Sequence, residues 1–238
     1  MPKRKRHKNK LLRFIKRLFI LLFLAQLLYM VALKWVNPPI TITMLSNRIA
    51  LAGMSKDFHR EWVDYEEISR YAKLAVIAGE DQKFPVHHGF DVQSIETAWE
   101  DYQHGEQLRG ASTISQQTAK NVFLWQGGGW FRKGLEAYCT FMIELIWGKQ
   151  RILEVYLNVA QMGDGIYGVE AAAQYYFHTS AKDLTRAQAA LLAASLPNPL
   201  YYTIKPLSGR TRYRQQWILK QMSNLRGGNA MKKLLSGE

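Results

Sequence analysis

The sequence predicts a mainly α-helical protein in which one transmembrane helix precedes a globular domain. Apolar residues recur at helical spacing in successive segments, and no run of residues alternates in the manner of a half-buried strand. Ahead of these segments lie a basic tail, residues 1–17, and an uncharged apolar run, residues 18–33. Because the 238-residue chain is 47% apolar and 12% aromatic, it can bury a substantial core.

The positive charge of the chain is concentrated in the N-terminal tail. The formal net charge is +13, and residues 1–17 contribute +9 of it through nine Lys or Arg and no acidic residue. A nucleic-acid-binding protein carries its basic surface on the folded part, so we predict no nucleic-acid partner. The single cysteine, Cys139, excludes an internal disulfide, a Cys-rich zinc site and a CxxC redox motif.

The apolar run is interpreted as a membrane anchor over residues 18–36. As a helix, Leu18–Leu33 would be about 24 Å long, which is short of the roughly 30 Å hydrocarbon core. Arg17 and Lys34 can extend to the two headgroup layers, and Trp35 suits the far interface. These flanking residues close the gap.

A cleaved signal peptide is the alternative interpretation of the same run, because its basic and apolar regions look alike. No small-x-small cleavage site closes the run, and the nearest candidate, Ala50-Leu51-Ala52, lies well beyond Leu33. We therefore predict an uncleaved single-pass anchor. By the positive-inside tendency the tail stays cytoplasmic, and residues from about 37 onward face the periplasm or outer side of the cytoplasmic membrane.

The rest of the chain is predicted to form a succession of helices. Pro38-Pro39 ends the anchor, and residues 41–43 are interpreted as a short extended piece. Apolar spacing predicts helices over residues 66–81, over 130–147, around 152–159, over 170–177 and around 217–222. Capping residues predict three more helices, which begin after Asp91, at a Thr113/Gln116 capping box and after Thr185. The predicted organisation is a tail (1–17), an anchor (18–36), a linker and membrane-proximal segment (37–64), a catalytic domain (65–225) and a C-terminal tail (226–238).

Glu80 and Asp81 begin a dense polar cluster at the end of an apolar helix. A carboxylate there lies near the negative end of the helix dipole, which raises its pKa and suits a general base. A solvated Glu-Asp pair is the plainer interpretation and stays open at this point. His87-His88 follow, but a lone pair of histidines is a weak signal for a metal site.

A second polar cluster occupies residues 110–121, GASTISQQTAKN. Gly110 would allow a close backbone approach, and a helix start after it would present free amides to an anion or a sugar. The amide side chains suit sugar hydroxyls and the ammonium suits a phosphate, although an ordinary polar helix face would look the same. The candidate binding residues are Ser112, Gln116, Gln117, Lys120 and Asn121.

A third cluster places Glu136 one helical turn beyond Arg132 and Lys133. On a mostly apolar helix these charges need partners, so the cluster indicates either a salt-bridge network or a phosphate site.

Four motifs, EDQKFPVHHG, GASTISQQTAKN, RKGLE and KQRILEVYLN, occur in this order, and together the chain resembles the family 51 peptidoglycan glycosyltransferases. The match continues through GVEAAAQYYF and ALLAASLPNPLYY, so it covers residues 65–202. The chain lacks the SxxK and KTG motifs of a serine transpeptidase, which points to a monofunctional member. The resemblance implies a lysozyme-like helical domain with a smaller membrane-associated lobe, and polymerisation of lipid II at the membrane.

The resemblance also implies roles for particular residues. Glu80 would be the general base that deprotonates the acceptor 4-hydroxyl, and Glu136 would lie near the donor pyrophosphate and assist its departure. Three cations would neutralise the leaving pyrophosphate, and four polar residues would contact sugar and phosphate. The three cations are Lys120, Arg132 and Lys133. The four polar residues are Ser112, Gln116, Gln117 and Asn121.

The expected partners are lipid II, the nascent lipid-linked strand, the membrane and other cell-wall synthesis and division proteins. A divalent ion, Mg2+ or Mn2+, is the expected cofactor at the pyrophosphate, although the sequence contains no self-evident metal cage; no organic cofactor is expected. The loop at residues 127–129 lacks a basic residue that some relatives place just before RKxxE.

Two other functions compete with this one. A lytic glycosidase of lysozyme-like fold would also need a helix-end glutamate with a raised pKa, but it would have no pyrophosphate for the cations to hold. A non-catalytic membrane-anchored scaffold would have no use for both glutamates and the polar helix.

Overall fold

The computed structural model describes residues 3–54, 57–103, 112–225 and 228–237. The chain divides into two compact units, Met1–Asn37 and Pro38–Glu238. The first unit contains helix α1, Lys3–Ala32, of which Lys10–Ala32 is long and apolar enough to cross a membrane. This confirms the predicted apolar helix. The helix begins earlier than predicted, because Lys and Arg of the tail are themselves good helix formers.

The second unit is built mainly from helices, as predicted. Its described helices are α2 (Ile42–Gly53), α3 (Arg70–Glu80), α4 (Val92–Gln103), α5 (Ile114–Phe123), α6 (Trp130–Ile146), α7 (Lys149–Val159), α8 (Val169–Phe177), α9 (Arg186–Ser195), α10 (Gly209–Asn224) and α11 (Asn229–Ser236), with a 3-10 turn at Tyr65–Glu67. A small sheet joins β1 (His59–Arg60), β3 (Ile166–Tyr167) and β2 (Gln161–Gly163) in that spatial order. β1 pairs with β3 in parallel, and β2 pairs with β3 antiparallel.

Local capping signals in the sequence set several helix starts. Thr113 and Gln116 form a reciprocal capping box at the start of α5, and Thr185 does the same with Gln188 at the start of α9. Asp91 accepts a hydrogen bond from the Ser94 amide (3.1 Å) at the start of α4. The predicted caps are therefore confirmed.

Two segments differ from the sequence-based expectation. The extended piece expected at residues 41–43 is wrong beyond its first residue. Thr41 alone is extended, and it caps α2 by accepting a hydrogen bond from the Met44 amide. Within the segment expected to be a tail, α11 is amphipathic and buries Met231 and Leu234.

The packing of α3 sets the place where Glu80 emerges. α3 packs against α9 and α10, while α5 packs against α6 and α7. A Cβ atom on Gly79 would lie 3.0 Å from Ile218 Cδ1, so α3 and α10 approach closely one residue before Glu80. Asp81 Oδ2 accepts a hydrogen bond from the Ile114 amide (2.9 Å), which joins the end of α3 to the start of α5.

Candidate functional site

The Glu80 carboxylate ends α3 and is held by one donor on each oxygen. Oε1 accepts from Arg214 Nη2 and Oε2 accepts from Gln117 Nε2, both at 2.9 Å. The side chain is only 9% exposed. Burial raises the pKa of Glu80, while the Gln117 hydrogen bond and the Arg214 charge act in the opposite direction. The direction agrees with the predicted one, and loss of solvent is its largest cause.

Gln117 is itself oriented by a buried tyrosine. Tyr156 Oη donates to Gln117 Oε1 at 3.1 Å, so the amide group of Gln117 is turned with its NH2 toward Glu80. Burial raises the pKa of Tyr156 well above its usual value, which keeps the hydroxyl protonated and donating. Tyr156, Gln117 and Glu80 therefore form a chain of hydrogen bonds.

Asp81 and His87 brace the loop that follows Glu80. Asp81 Oδ2 lies 2.8 Å from His87 Nε2, and the Gly89 amide donates to His87 Nδ1 at 3.0 Å. Both ring nitrogens of His87 thus have partners within the loop, which accounts for this histidine without a metal.

The start of α5 differs from the expected row of free amides. The Ile114 amide donates to Asp81, and the Gln116 amide donates to Thr113 Oγ1 at 3.1 Å. These two amides donate to protein oxygens, so the prediction that they would be free to bind an anion is wrong. Gly110, which was expected to open this helix, lies outside the described residues.

Glu136 on α6 is buried, with 3% of its surface exposed, and contacts two of the three predicted cations. Its Oε2 accepts from Arg132 Nη1 at 3.0 Å, and its Oε1 accepts from Lys133 Nζ. Of the two alternatives left open by the sequence, the salt-bridge network is present within this helix.

Lys120 on α5 lies in the same electrostatic environment as these groups. Burial lowers the pKa of Lys120; the charge of Glu136 raises it, those of Arg132 and Lys133 lower it, and that of Glu80 raises it. The charges of both candidate carboxylates and of both other candidate cations therefore act on the pKa of Lys120, so the three predicted cations lie in one region.

Two cavities adjoin Glu80 and Gln117. One, of about 440 Å³, is lined by Gln117, Lys120 and Asn121 together with residues of α2. The other, of about 290 Å³, is lined by Glu80, Asp81, Ser112 and Thr113 among others. Five of the predicted site residues thus line a cavity, and the remaining four do not line either of these two: Gln116, Arg132, Lys133 and Glu136.

Gln116 is placed differently from the other amide residues of α5. It is buried, and its Oε1 accepts a hydrogen bond from the Thr113 amide at 2.9 Å. Its side-chain oxygen is therefore part of the capping box.

Sequence reasoning missed two residues that act on Glu80. Arg214 lies far along the chain on α10, and the only signal for it was the basic character of that helix. Tyr156 falls within the helix predicted around residues 152–159, where it follows the apolar spacing, and its hydroxyl gave no signal of its own.

The described residues do not fit a resident metal ion. Among them, no group of three or more His, Cys, Asp or Glu side chains could hold one. The two candidate catalytic carboxylates, Glu80 and Glu136, are already paired with cations.

A family model described as Transglycosylase matches residues 47–223. The biosynthetic peptidoglycan transglycosylase of Escherichia coli O127:H6 (strain E2348/69 / EPEC) is 52% identical over 223 residues, which cover 88% of this chain and 92% of that protein. The protein of the same name from Escherichia coli O17:K52:H18 (strain UMN026 / ExPEC) is 51% identical over 226 residues, or 90% and 93% of the two chains. That from Shigella boydii serotype 4 (strain Sb227) is 52% identical over 223 residues, or 88% and 92%. The matched segment contains every candidate site residue and Arg214.

Proposed function

Since this chain belongs to the transglycosylase family, we propose that it polymerises lipid II into β-1,4-linked glycan strands for the cell wall. The family recognised from four sequence motifs is confirmed, and with it the glycosyltransferase class of the enzyme. The observation that carries the chemical proposal is the buried Glu80 carboxylate, whose pKa is raised. Glu80 lines one cavity, and its hydrogen-bond partner Gln117 lines the other.

Glu80 acts as the general base in this proposal. Each of its oxygens accepts one hydrogen bond from the protein, and a carboxylate oxygen has a further lone pair for the acceptor hydroxyl. The 4-hydroxyl of the acceptor N-acetylglucosamine gives its proton to Glu80, and its oxygen bonds to C1 of the donor muramyl unit. The bond from C1 to the phosphate oxygen breaks, so the configuration inverts and undecaprenyl pyrophosphate leaves.

Three cations stabilise the negative charge that builds on the leaving pyrophosphate: Lys120, Arg132 and Lys133. Pre-positioned cations in a partly desolvated site lower the barrier because they need no reorganisation during the step. In this proposal Glu136 holds Arg132 and Lys133 in place and so assists the departure.

The polar residues at the cavities bind the substrate in this proposal. Ser112, Gln117 and Asn121 line cavities and contact sugar or phosphate. Gln116 acts indirectly, through the capping box that fixes the start of α5. A divalent ion, Mg2+ or Mn2+, is proposed only as a companion of the substrate pyrophosphate, because no group of three or more His, Cys, Asp or Glu among the described residues could hold a resident ion.

The membrane arrangement completes the proposal. α1 fits a single-pass anchor. We place the basic tail in the cytoplasm and the catalytic domain on the outer, periplasmic face, where lipid II is consumed. Other cell-wall synthesis and division proteins are the proposed partners.

The test uses detergent-solubilised full-length protein and labelled lipid II, followed by muramidase digestion of the product. Wild-type protein should form a polymer that muramidase degrades, and Glu80→Gln should reduce its rate at least about 100-fold, because the variant keeps the shape but cannot accept the proton. Circular dichroism should show that the variant remains folded. Near-normal turnover in Glu80→Gln would remove this residue from the mechanism, and digestion of purified peptidoglycan by the wild type would favour the lytic glycosidase.

A further inference from the structure

A third cavity of about 490 Å³ lies along α10, and we name it the aromatic groove. It is lined by Tyr202, Gly209, Arg210, Tyr213, Arg214 and Trp217. The Tyr213 side chain is 79% exposed and Trp217 is 39% exposed. An accessible aromatic surface of this size suits the apolar parts of a ligand that also carries polar groups.

The positive charge of α10 favours an anionic ligand in the aromatic groove. The helix carries four cations, of which Arg210 and Arg214 line the groove and Arg212 and Lys220 do not, and it has no Asp or Glu. The Arg210 guanidinium lies 4.4 Å from the Tyr201 ring centroid. Stacking uses the flat face of the guanidinium and leaves its N–H edge for a planar anion such as a carboxylate.

The aromatic groove is connected to the proposed base through one side chain. Arg214 lines the groove, and its Nη2 donates to Glu80 Oε1 at 2.9 Å and to the Gly79 carbonyl at 2.8 Å. A substrate whose hydroxyl reaches Glu80 is therefore one residue away from the groove, and a flexible arm of that substrate can enter it.

We propose that the aromatic groove binds the stem peptide of the acceptor lipid II, with a peptide carboxylate at Arg210. This inference rests on the proposed function, and it adds a subsite for the part of the substrate that does not react. The peptide bears free carboxylates for the arginine edge and aliphatic side chains for the rings of Tyr213 and Trp217. An anionic lipid headgroup would match the positive charge equally well, but its binding would not require a groove that is connected to Glu80.

The test compares Arg210→Ala with wild type in proteoliposomes, using two forms of lipid II. One form carries the ordinary stem peptide, and in the other the stem carboxylates are amidated. The variant should lower kcat/KM for the ordinary substrate about threefold to fivefold, the effect of one partly exposed ion pair. On the amidated substrate the two proteins should converge, because the carboxylate partner is missing.

Arg212→Ala is the matched control, since it removes the same charge from the same helix but does not line the groove. The proposal is overturned if Arg212→Ala reproduces the effect, or if Arg210→Ala lowers the rate equally with both substrates. It is also overturned if the variant changes only how the rate depends on the fraction of anionic phospholipid, since the groove then contacts the membrane. Failure of the proposed function looks different, because wild-type protein would then make no polymer from either substrate.

Discussion

Replacing Tyr156 with phenylalanine removes one hydroxyl group that lies two hydrogen bonds away from Glu80. The hydroxyl donates to Gln117 Oε1, and Gln117 Nε2 donates to Glu80 Oε2. Without the hydroxyl, the Gln117 amide is no longer fixed with its NH2 toward the carboxylate. The hydrogen bond that lowers the pKa of Glu80 is then weakened. Because this bond opposes the effect of burial, its weakening raises the pKa of Glu80 further.

The size of this effect follows from the bond to the carboxylate. A hydrogen bond to a charged group contributes roughly 1.5–3 kcal/mol. Complete loss of the Gln117 bond would remove that stabilisation from the ionised form of Glu80 and so raise its pKa. Because Tyr156→Phe loosens Gln117 but does not remove it, we expect the smaller part of this loss, which lowers kcat/KM about threefold to tenfold on the acidic limb of the pH profile.

The assay is the pH dependence of kcat/KM with lipid II, whose acidic limb reports ionisation of the free base. Glu80 must be ionised to act, so a higher pKa moves this limb to higher pH. Activity should therefore be lost mostly at low pH and recovered as the pH rises. Tyr176→Phe is the control, because it removes another buried hydroxyl that donates to the Met162 carbonyl (3.3 Å) rather than to the site. A loss in Tyr156→Phe that is equal at every pH would refute the reasoning.

Three further predictions concern the leaving group, the fold and the membrane. Lys120→Ala should raise the barrier for lipid II turnover by roughly 2–4 kcal/mol and leave thermal unfolding almost unchanged, and equal turnover would exclude this lysine from the phosphate site. Gly168→Ala should destabilise the domain by about 1–3 kcal/mol or more in chemical denaturation, because φ is +86° and the new Cβ would lie 2.9 Å from the Asn158 carbonyl oxygen. Gly134→Ala, in a helix with open space around it, should be neutral or stabilising, and similar losses in both variants would contradict the strain argument. An alkaline phosphatase fused after Glu238 should be active, and an inactive fusion of intact protein would reverse the proposed orientation.

The parts of the fold that the sequence predicted are those set by neighbouring residues. The capping boxes at Thr113 and Thr185 each involve residues three apart, so the local sequence contains the whole interaction. α11 was missed because it is short, and it buries Met231 and Leu234 while packing against α3, which is distant in the sequence.

The candidate site, like the fold, was predictable where local sequence defines it and not where distant residues meet. Glu80 and Gln117 were identified by their motifs, and the structure joins them by a hydrogen bond. Arg214 lies 134 residues from Glu80 along the chain, and no periodicity or spacing relates two residues so far apart. Tyr156 was hidden for a different reason, because a buried tyrosine follows the same helical periodicity as any apolar residue.

The pairing of Glu136 with Arg132 and Lys133 makes this carboxylate an internal counter-ion. An arriving anion must compete with a carboxylate of charge −1 that is already in place, buried and close. A monophosphate gains little beside that carboxylate, whereas a pyrophosphate brings more charge and more oxygens with which to share the two cations. We therefore expect this helix to select its ligand by valence, accepting lipids linked through pyrophosphate and discriminating against the far commoner phospholipids that surround them in the membrane.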